Sequence, residues 1–251
     1  MPALRNRLWA SPLYDLYRRV KPSVSDPTKE LTFYRSLLRG FRRGDTIFDV
    51  GANSGWKSGI FLRLGARVVA VEPDKTNQMT LREKFVKLRL RPKPFTVVGK
   101  AVSDTEGSKT FLIDGDGSAF NTLSQKWAGT AQEHGALKFA RSETVETVTL
   151  ESLMAEYGKP FFVKIDVEGH ELSALRGLRT AVPYLSFEVN LPEFREEGLE
   201  CVKLLNALGS GQFNLSDGSV TLGEWVDAEG IDRALRECQA HATEIFWRRL
   251  S

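Results

Sequence analysis

The chain has 251 residues, a net charge of +3, 41% hydrophobic and 27% charged residues. These values fit a folded chain long enough for one large domain or two small ones, and they exclude wholesale disorder and a strongly basic nucleic-acid-binding composition. The longest purely aliphatic run, Val68 to Val71, is far short of a membrane span, and no signal-peptide core follows Arg5 and Arg7, so a cytoplasmic protein without a transmembrane segment is expected.

Residues 1–30 read as an N-terminal arm broken by Pro2, Pro12, Pro22 and Pro27. Its Leu8, Trp9 and Tyr14 offer apolar surface for a lid, a homodimer contact or a membrane-surface helix, and plain packing against the body is the simplest expectation. Residues 31–251 read as the main domain. Leu31, Tyr34 and Leu38 predict a helix over Glu30–Leu38, ended by Gly40 and Gly44. A strand follows over Thr46–Val50. Trp56, Ile60, Phe61 and Leu64 then recur at helical spacing until Gly65. Arg67–Val71 is a second strand, Pro73 suits the first turn of a helix running to about Leu90, and Phe95–Val98 is a third strand.

Thr110–Ile113 and Val145–Thr149 read as extra strands around a polar stretch, Asp114–Glu143, a candidate acceptor-side insertion. Phe161–Ile165 lacks polar alternation, so it is expected to be buried on both faces. A helix over His170–Leu178, a strand over Tyr184–Val189 and a helix striped by Leu199, Val202, Leu205 and Leu208 come next. Gln212–Leu215 and Thr243–Trp247 complete the strands. This alternation predicts a layered α/β fold with a mainly parallel sheet, whose ligands bind beyond the carboxyl ends of the strands. Cys201 and Cys238 form no CxxC pair and read as free thiols.

Chemistry concentrates at three strand exits. The first is Asp49-Val50-Gly51-Ala52-Asn53-Ser54-Gly55, where two glycines allow a tight turn and close backbone approach ahead of a helix N-terminus. It is not a dinucleotide GxGxxG loop, because Asn53 and Trp56 occupy the second and third glycine positions, and no GK[ST] ending makes it a Walker A loop. The second is Glu72, about twenty residues on, placed where a carboxylate can accept both hydroxyls of a ribose. The third is Val163 to Glu171, with Asp166, Glu168, His170 and Glu171 at the end of a buried strand. Glu171 is read there as a partner of the helix N-terminus. His134, His170 and His241 have no zinc spacing, and the calcium-loop-like start at Asp114 and Asp116 fails at Ala119 and Gln125, so no metal is expected.

Taken together, Asp49-Val50-Gly51-Ala52-Asn53, Val71-Glu72-Pro73, Ala101-Val102-Ser103-Asp104, Val148 to Leu153, and Val163 to Glu171 followed by Leu175-Arg176-Gly177 resemble the FkbM family of S-adenosylmethionine-dependent methyltransferases. The resemblance covers roughly residues 30 to 190. Glu151 stands where the family often carries Asp. It implies a Rossmann-like class I methyltransferase fold with a seven-stranded sheet, helices on both faces and an antiparallel last hairpin strand. It also implies S-adenosylmethionine as cofactor, with the Gly51–Gly55 loop (Ala52 and Asn53 included) at its methionine part, Asp49 among the cofactor-binding residues and Glu72 at its ribose. Ser103 and Asp104 would then lie near the adenine, and Asp166 would face the methionine amine or the acceptor.

The expected reaction is O-methylation of a small hydroxylated molecule such as a sugar or natural-product scaffold, the substrate class resting on the resemblance. His170 is the first candidate for the base, since imidazole titrates near neutrality, with Glu168 and Glu188 in reserve. A nicotinamide-dependent oxidoreductase, an RNA methyltransferase or nucleic-acid binder using the basic run Lys84–Lys93, and a non-catalytic cofactor-binding module are the alternatives; no nucleic-acid partner is expected.

Overall fold

The computed structural model describes residues 26–86, 94–133, 135, 137–216 and 221–250. Residues 1–25 of the expected arm, residues 87–93 of the basic run, the expected helix end near Leu90 and His134 lie outside the described residues.

In chain order the elements are α1 (Pro27–Leu37), β1 (Thr46–Val50), α2 (Trp56–Leu64), β2 (Arg67–Val71), α3 (Lys75–Leu81) with a π-helical turn Arg82–Val86, β3 (Phe95–Val98), β4 (Ala101–Val102), β5 (Gly107–Ile113), α4 (Gln125–Glu133), β6 (Arg141–Val148), α5 (Leu150–Tyr157), β7 (Phe162–Ile165), α6 (Glu171–Arg176), β8 (Tyr184–Asn190), α7 (Arg195–Leu208), β9 (Gly211–Ser216), α8 (Ala228–Glu237) and β10 (Ala242–Arg249). Seven strands form the main sheet in the order β3-β2-β1-β7-β8-β10-β9. β3, β2, β1, β7 and β8 run parallel, and β10 is antiparallel to both β8 and β9. Strand order reverses between β1 and β7, so the carboxyl ends of β1, β2 and β7 open onto one crevice.

The alternation of side chains sorts the central strands into two cores. Ile47, Phe162 and Phe246 face α1 and α2, where Tyr34 and Phe61 meet edge-on at 5.0 Å between ring centroids. Phe48, Val163 and Phe187 face the opposite way, against Leu153 of α5, Leu175 of α6, Leu205 of α7 and Leu235 of α8. With helices on both faces, β1 and β7 are buried along their whole length, the polar register pair Asp49 and Lys164 included. Edge-on aromatic pairs add about 0.5–1.5 kcal/mol each to the burial itself.

The extra strands do not extend this sheet. β5 and β6 pair antiparallel, with Ile113 opposite Arg141, and join β4 in a separate three-stranded sheet. The polar stretch Asp114–Glu143 is therefore the connection of a hairpin, its end lies within β6, and it carries α4, which packs through Trp127 and Ala131.

Several local expectations are corrected. Trp56 opens α2 but is 46% exposed, its indole N–H donating to Glu30 at 3.0 Å instead of joining the core. Pro73 precedes α3 rather than starting it, because Asp74 takes the cap position and accepts the Asn77 amide at 3.0 Å. The helix at His170 is confined to Glu171–Arg176. Helices α5 and α8 carry no sequence expectation, although Ile231 and Leu235 mark an apolar stripe on α8. Cys201 and Cys238 are free thiols. Among the described residues, no helix is long and apolar enough to cross a membrane.

Candidate active site

The exits of β1 and β7 run side by side. The Asp166 amide donates to the Val50 carbonyl at 3.0 Å, and a Cβ on Gly51 would sit 1.8 Å from the Asp166 carbonyl oxygen. Gly51 also holds φ at +75°, so this position requires glycine on both counts. Its amide and that of Ala52 bond to Val71 O, tying the loop to the end of β2.

Glu72 completes that tie. Its two carboxylate oxygens accept the Asn53 amide at 2.7 Å and the Asp74 amide at 2.8 Å. The side chain is buried in the cavity wall, and burial pushes its carboxyl up to about 7 against the pull of those two amides. Each carboxylate oxygen retains a further lone pair, so Glu72 can still accept from a ligand.

The cavity between these exits is small, about 50 Å³, and open to solvent. Gly51, Asn53, Glu72, Asp166, Glu168 and His170 line it. Asp49, Ala52, Gly55, Ser103, Asp104 and Glu188 do not. Asp49 is buried behind the loop, with one oxygen accepting from Ser58 at 2.6 Å and the other without a partner. Burial raises its carboxyl, opposed by Lys164, its register partner on β7. Gly55 caps α2, and a Cβ there would strike Leu81 and Phe85 at 2.6 Å.

The β7 exit is held in an unusual course. Glu168 and Gly169 both have left-handed backbone, with φ of +51° and +87°. Glu171 restrains them by accepting the amides of Val167 at 2.9 Å and Gly169 at 3.3 Å, loop amides ahead of the helix rather than those of its first turn. Asp166 pairs with Lys164 at 2.9 Å. Burial alone would push Lys164 down, but Asp166, Asp49 and Glu244 hold it above its usual value. Asp166, Glu168 and Glu188 bring their carboxylate oxygens within 4.8 Å of one another, a spacing that could hold a metal ion. The expectation of no metal rested on linear spacing, and this cluster forms only because β8 lies beside β7.

His170 faces the cavity at the same exit. Burial, with Lys109 nearby, pushes its imidazole down to about 4, so it is neutral at pH 7. Its Nε2 lies 3.1 Å from the Ser103 hydroxyl.

The far wall comes from the β5–β6 connection, through Ser118, Ala119, Asn121, Thr122 and Leu123. Two residues that sequence reasoning missed secure it. Asp74 accepts from Asn121 Nδ2 at 3.0 Å and from the Gly117 amide at 3.2 Å, while Thr122 Oγ1 donates to Glu168 O at 2.8 Å. Asp74 had a signal, standing two residues after Glu72, but its partners lie more than forty residues away. Lys100, on the rim, pairs with Glu146 at 3.1 Å.

The arrangement is a backbone-lined turn, a buried carboxylate, an acidic flank and a neutral imidazole around one cavity of mixed polar and apolar lining. The carboxylates of Glu72, Asp166 and Glu168 line this cavity, while the unpartnered Asp49 oxygen lies behind the loop, outside its wall.

The family model described as the methyltransferase FkbM domain matches residues 49–239. The hexuronic acid methyltransferase AglP of Haloferax volcanii is 28% identical over 168 residues, which are 66% of this chain and 63% of that protein. The crystal structure of the methyltransferase FkbM from Methylobacillus flagellatus superposes with a TM-score of 0.54 at 18% identity, covering 87% of this chain and 47% of that one. The chain thus spans less than two thirds of the length of either protein.

Proposed function

The chain belongs to the FkbM methyltransferase family, and from that premise we propose that it is an S-adenosylmethionine-dependent O-methyltransferase acting on a small hydroxylated acceptor, a sugar in the first instance. The observation that carries the reading is Glu72, buried in the cavity wall and bound to the Asn53 amide of the β1 loop. Glu72 would take the ribose hydroxyls of the cofactor. Gly51 and Asn53 would hold its methionine part, with Asp166 facing the ammonium. The sugar rests on the relative whose name describes a hexuronic acid methyltransferase.

When bound, S-adenosylmethionine supplies an electrophilic methyl group on a sulfonium. The protein's task is to hold the acceptor oxygen in line with it, an orientation effect worth ~7–11 kcal/mol. A base that takes the acceptor's proton adds about 10²–10⁴-fold. His170 would take that role; it lines the cavity and is neutral at pH 7. Glu168 shares the cavity, whereas Glu188 stands outside its wall.

The test is calorimetric titration with S-adenosylhomocysteine, with NADH in parallel, followed by assay of methyl transfer to uronic acids and neutral sugars. Binding of S-adenosylhomocysteine alone, weakened by about 1–3 kcal/mol in Glu72→Ala, is expected. Binding of NADH alone would replace the reading with a dehydrogenase, and undiminished affinity in Glu72→Ala would remove Glu72 from the site.

A further inference from the structure

Ser103 and Asp104 stand outside the cavity wall, yet both connect to its imidazole. The Ser103 hydroxyl donates to Asp104 Oδ1 at 2.9 Å and lies 3.1 Å from His170 Nε2. Ser103 is fully buried and its backbone is clamped: its amide donates to Val148 O at 3.0 Å, and its carbonyl lies where a Cβ on Gly177 would meet it at 2.4 Å. We propose that Ser103 and Asp104 are positioning residues for His170, fixing the imidazole in the tautomer that carries its proton on Nε2 and leaves Nδ1 as a bare lone pair on a residue of the cavity wall. What that lone pair does rests on the methyltransferase reading; the hydrogen-bond chain does not.

The Asp104 carboxyl is held below its usual range by the Ser103 hydroxyl and by Lys109 at 3.3 Å, so it is ionised and can only accept. A hydroxyl has a single proton. Once Ser103 gives it to Asp104, the serine oxygen can only accept from His170, and Nε2 must be the donor. A neutral imidazole has one N–H, so Nδ1 is left bare. The opposite tautomer would turn the Ser103 proton to Nε2 and leave a serine lone pair facing a carboxylate lone pair at 2.9 Å. Nδ1 has no partner among the described residues.

At the site the relay acts as follows. On the methyltransferase reading, the bare Nδ1 would accept the proton of the acceptor hydroxyl as that oxygen bonds the methyl carbon, the electron pair of the carbon–sulfur bond being left on sulfur. The imidazolium keeps its Nε2 proton on Ser103, while Asp104 stabilises the new charge through the serine. This assignment also places Ser103 and Asp104 in a role other than adenine contact.

The tautomer can be read directly. Long-range ¹H–¹⁵N NMR of histidine-labelled protein without ligand, with His170 assigned by His170→Gln, should show a pyridine-type Nδ1 and a protonated Nε2 at neutral pH. Asp104→Ala frees the Ser103 proton to turn to Nε2 and should shift the population toward Nδ1–H. Ser103→Ala should give a mixture, and Ser103→Thr should restore the single form. An Nδ1–H tautomer in the wild type, or an unchanged tautomer in Asp104→Ala, overturns the proposal. Both alanine variants should bind S-adenosylhomocysteine within about threefold of wild type; a tenfold loss with the tautomer unchanged would return the pair to the adenine. If the wild type bound no S-adenosylhomocysteine, the methyltransferase reading would fall and the tautomer would still decide the relay.

Discussion

Glu72 holds the backbone amide of Asn53 at 2.7 Å, joining the end of β2 to the loop that leaves β1. The bond sets the loop's distance from the cavity wall and makes a buried carboxylate part of the fold as well as of the site.

That dual role has a pH signature. Burial raises the Glu72 carboxyl from an ordinary carboxylate value to about 7. Between the ordinary value and about 7 the folded state binds more protons than the unfolded one, so this group's contribution is full at low pH and is lost as pH rises through that window. Glu72→Gln stays neutral throughout. Its melting temperature relative to wild type should rise across the same window; a constant difference would mean that Glu72 titrates normally.

Gly51→Val should act on stability before it acts on binding. The new Cβ points at the Asp166 carbonyl rather than into the cavity, and φ is +75°. A loss of about 3–5 kcal/mol by chemical denaturation is expected. A variant of native stability that fails to bind S-adenosylhomocysteine would show that the side chain reaches the ligand instead.

Replacing His170 by alanine should leave S-adenosylhomocysteine affinity intact and slow turnover by about 10²–10⁴-fold. An ordinary histidine base would lose half its activity near pH 6.5. Because burial pushes His170 down to about 4, turnover at saturating cofactor should hold steady well below pH 6. A limb near 6.5 that persists in the alanine variant would assign the base elsewhere.

Asp74→Ala should release the cavity's far wall. Asp74 anchors Asn121, Gly117 and the first turn of α3. Faster amide exchange over residues 114–121, with a stability loss of about 1–3 kcal/mol, is expected by hydrogen-exchange mass spectrometry. Unchanged exchange there would mean that Asn121's bond to Gly115 O and its turn suffice without Asp74.

The sequence by itself determined the parallel α/β alternation and the turns at Gly51, Glu72 and Asp166, because strand runs, helical spacing and glycine turns are encoded within a few neighbouring residues. It misled where exposure mattered: Trp56 keeps the helical period but is drawn outward by the Glu30 carboxylate from α1. The tertiary structure alone decided which polar groups meet. His170 reaches Ser103 across 67 positions, Asp74 reaches Asn121 across 47, and Glu188 joins Asp166 and Glu168 through the pairing of β7 with β8. Such contacts depend on strand order, register and the direction of each side chain. A one-dimensional pattern of residue types does not contain those quantities, because packing of the whole sheet against its helices sets them.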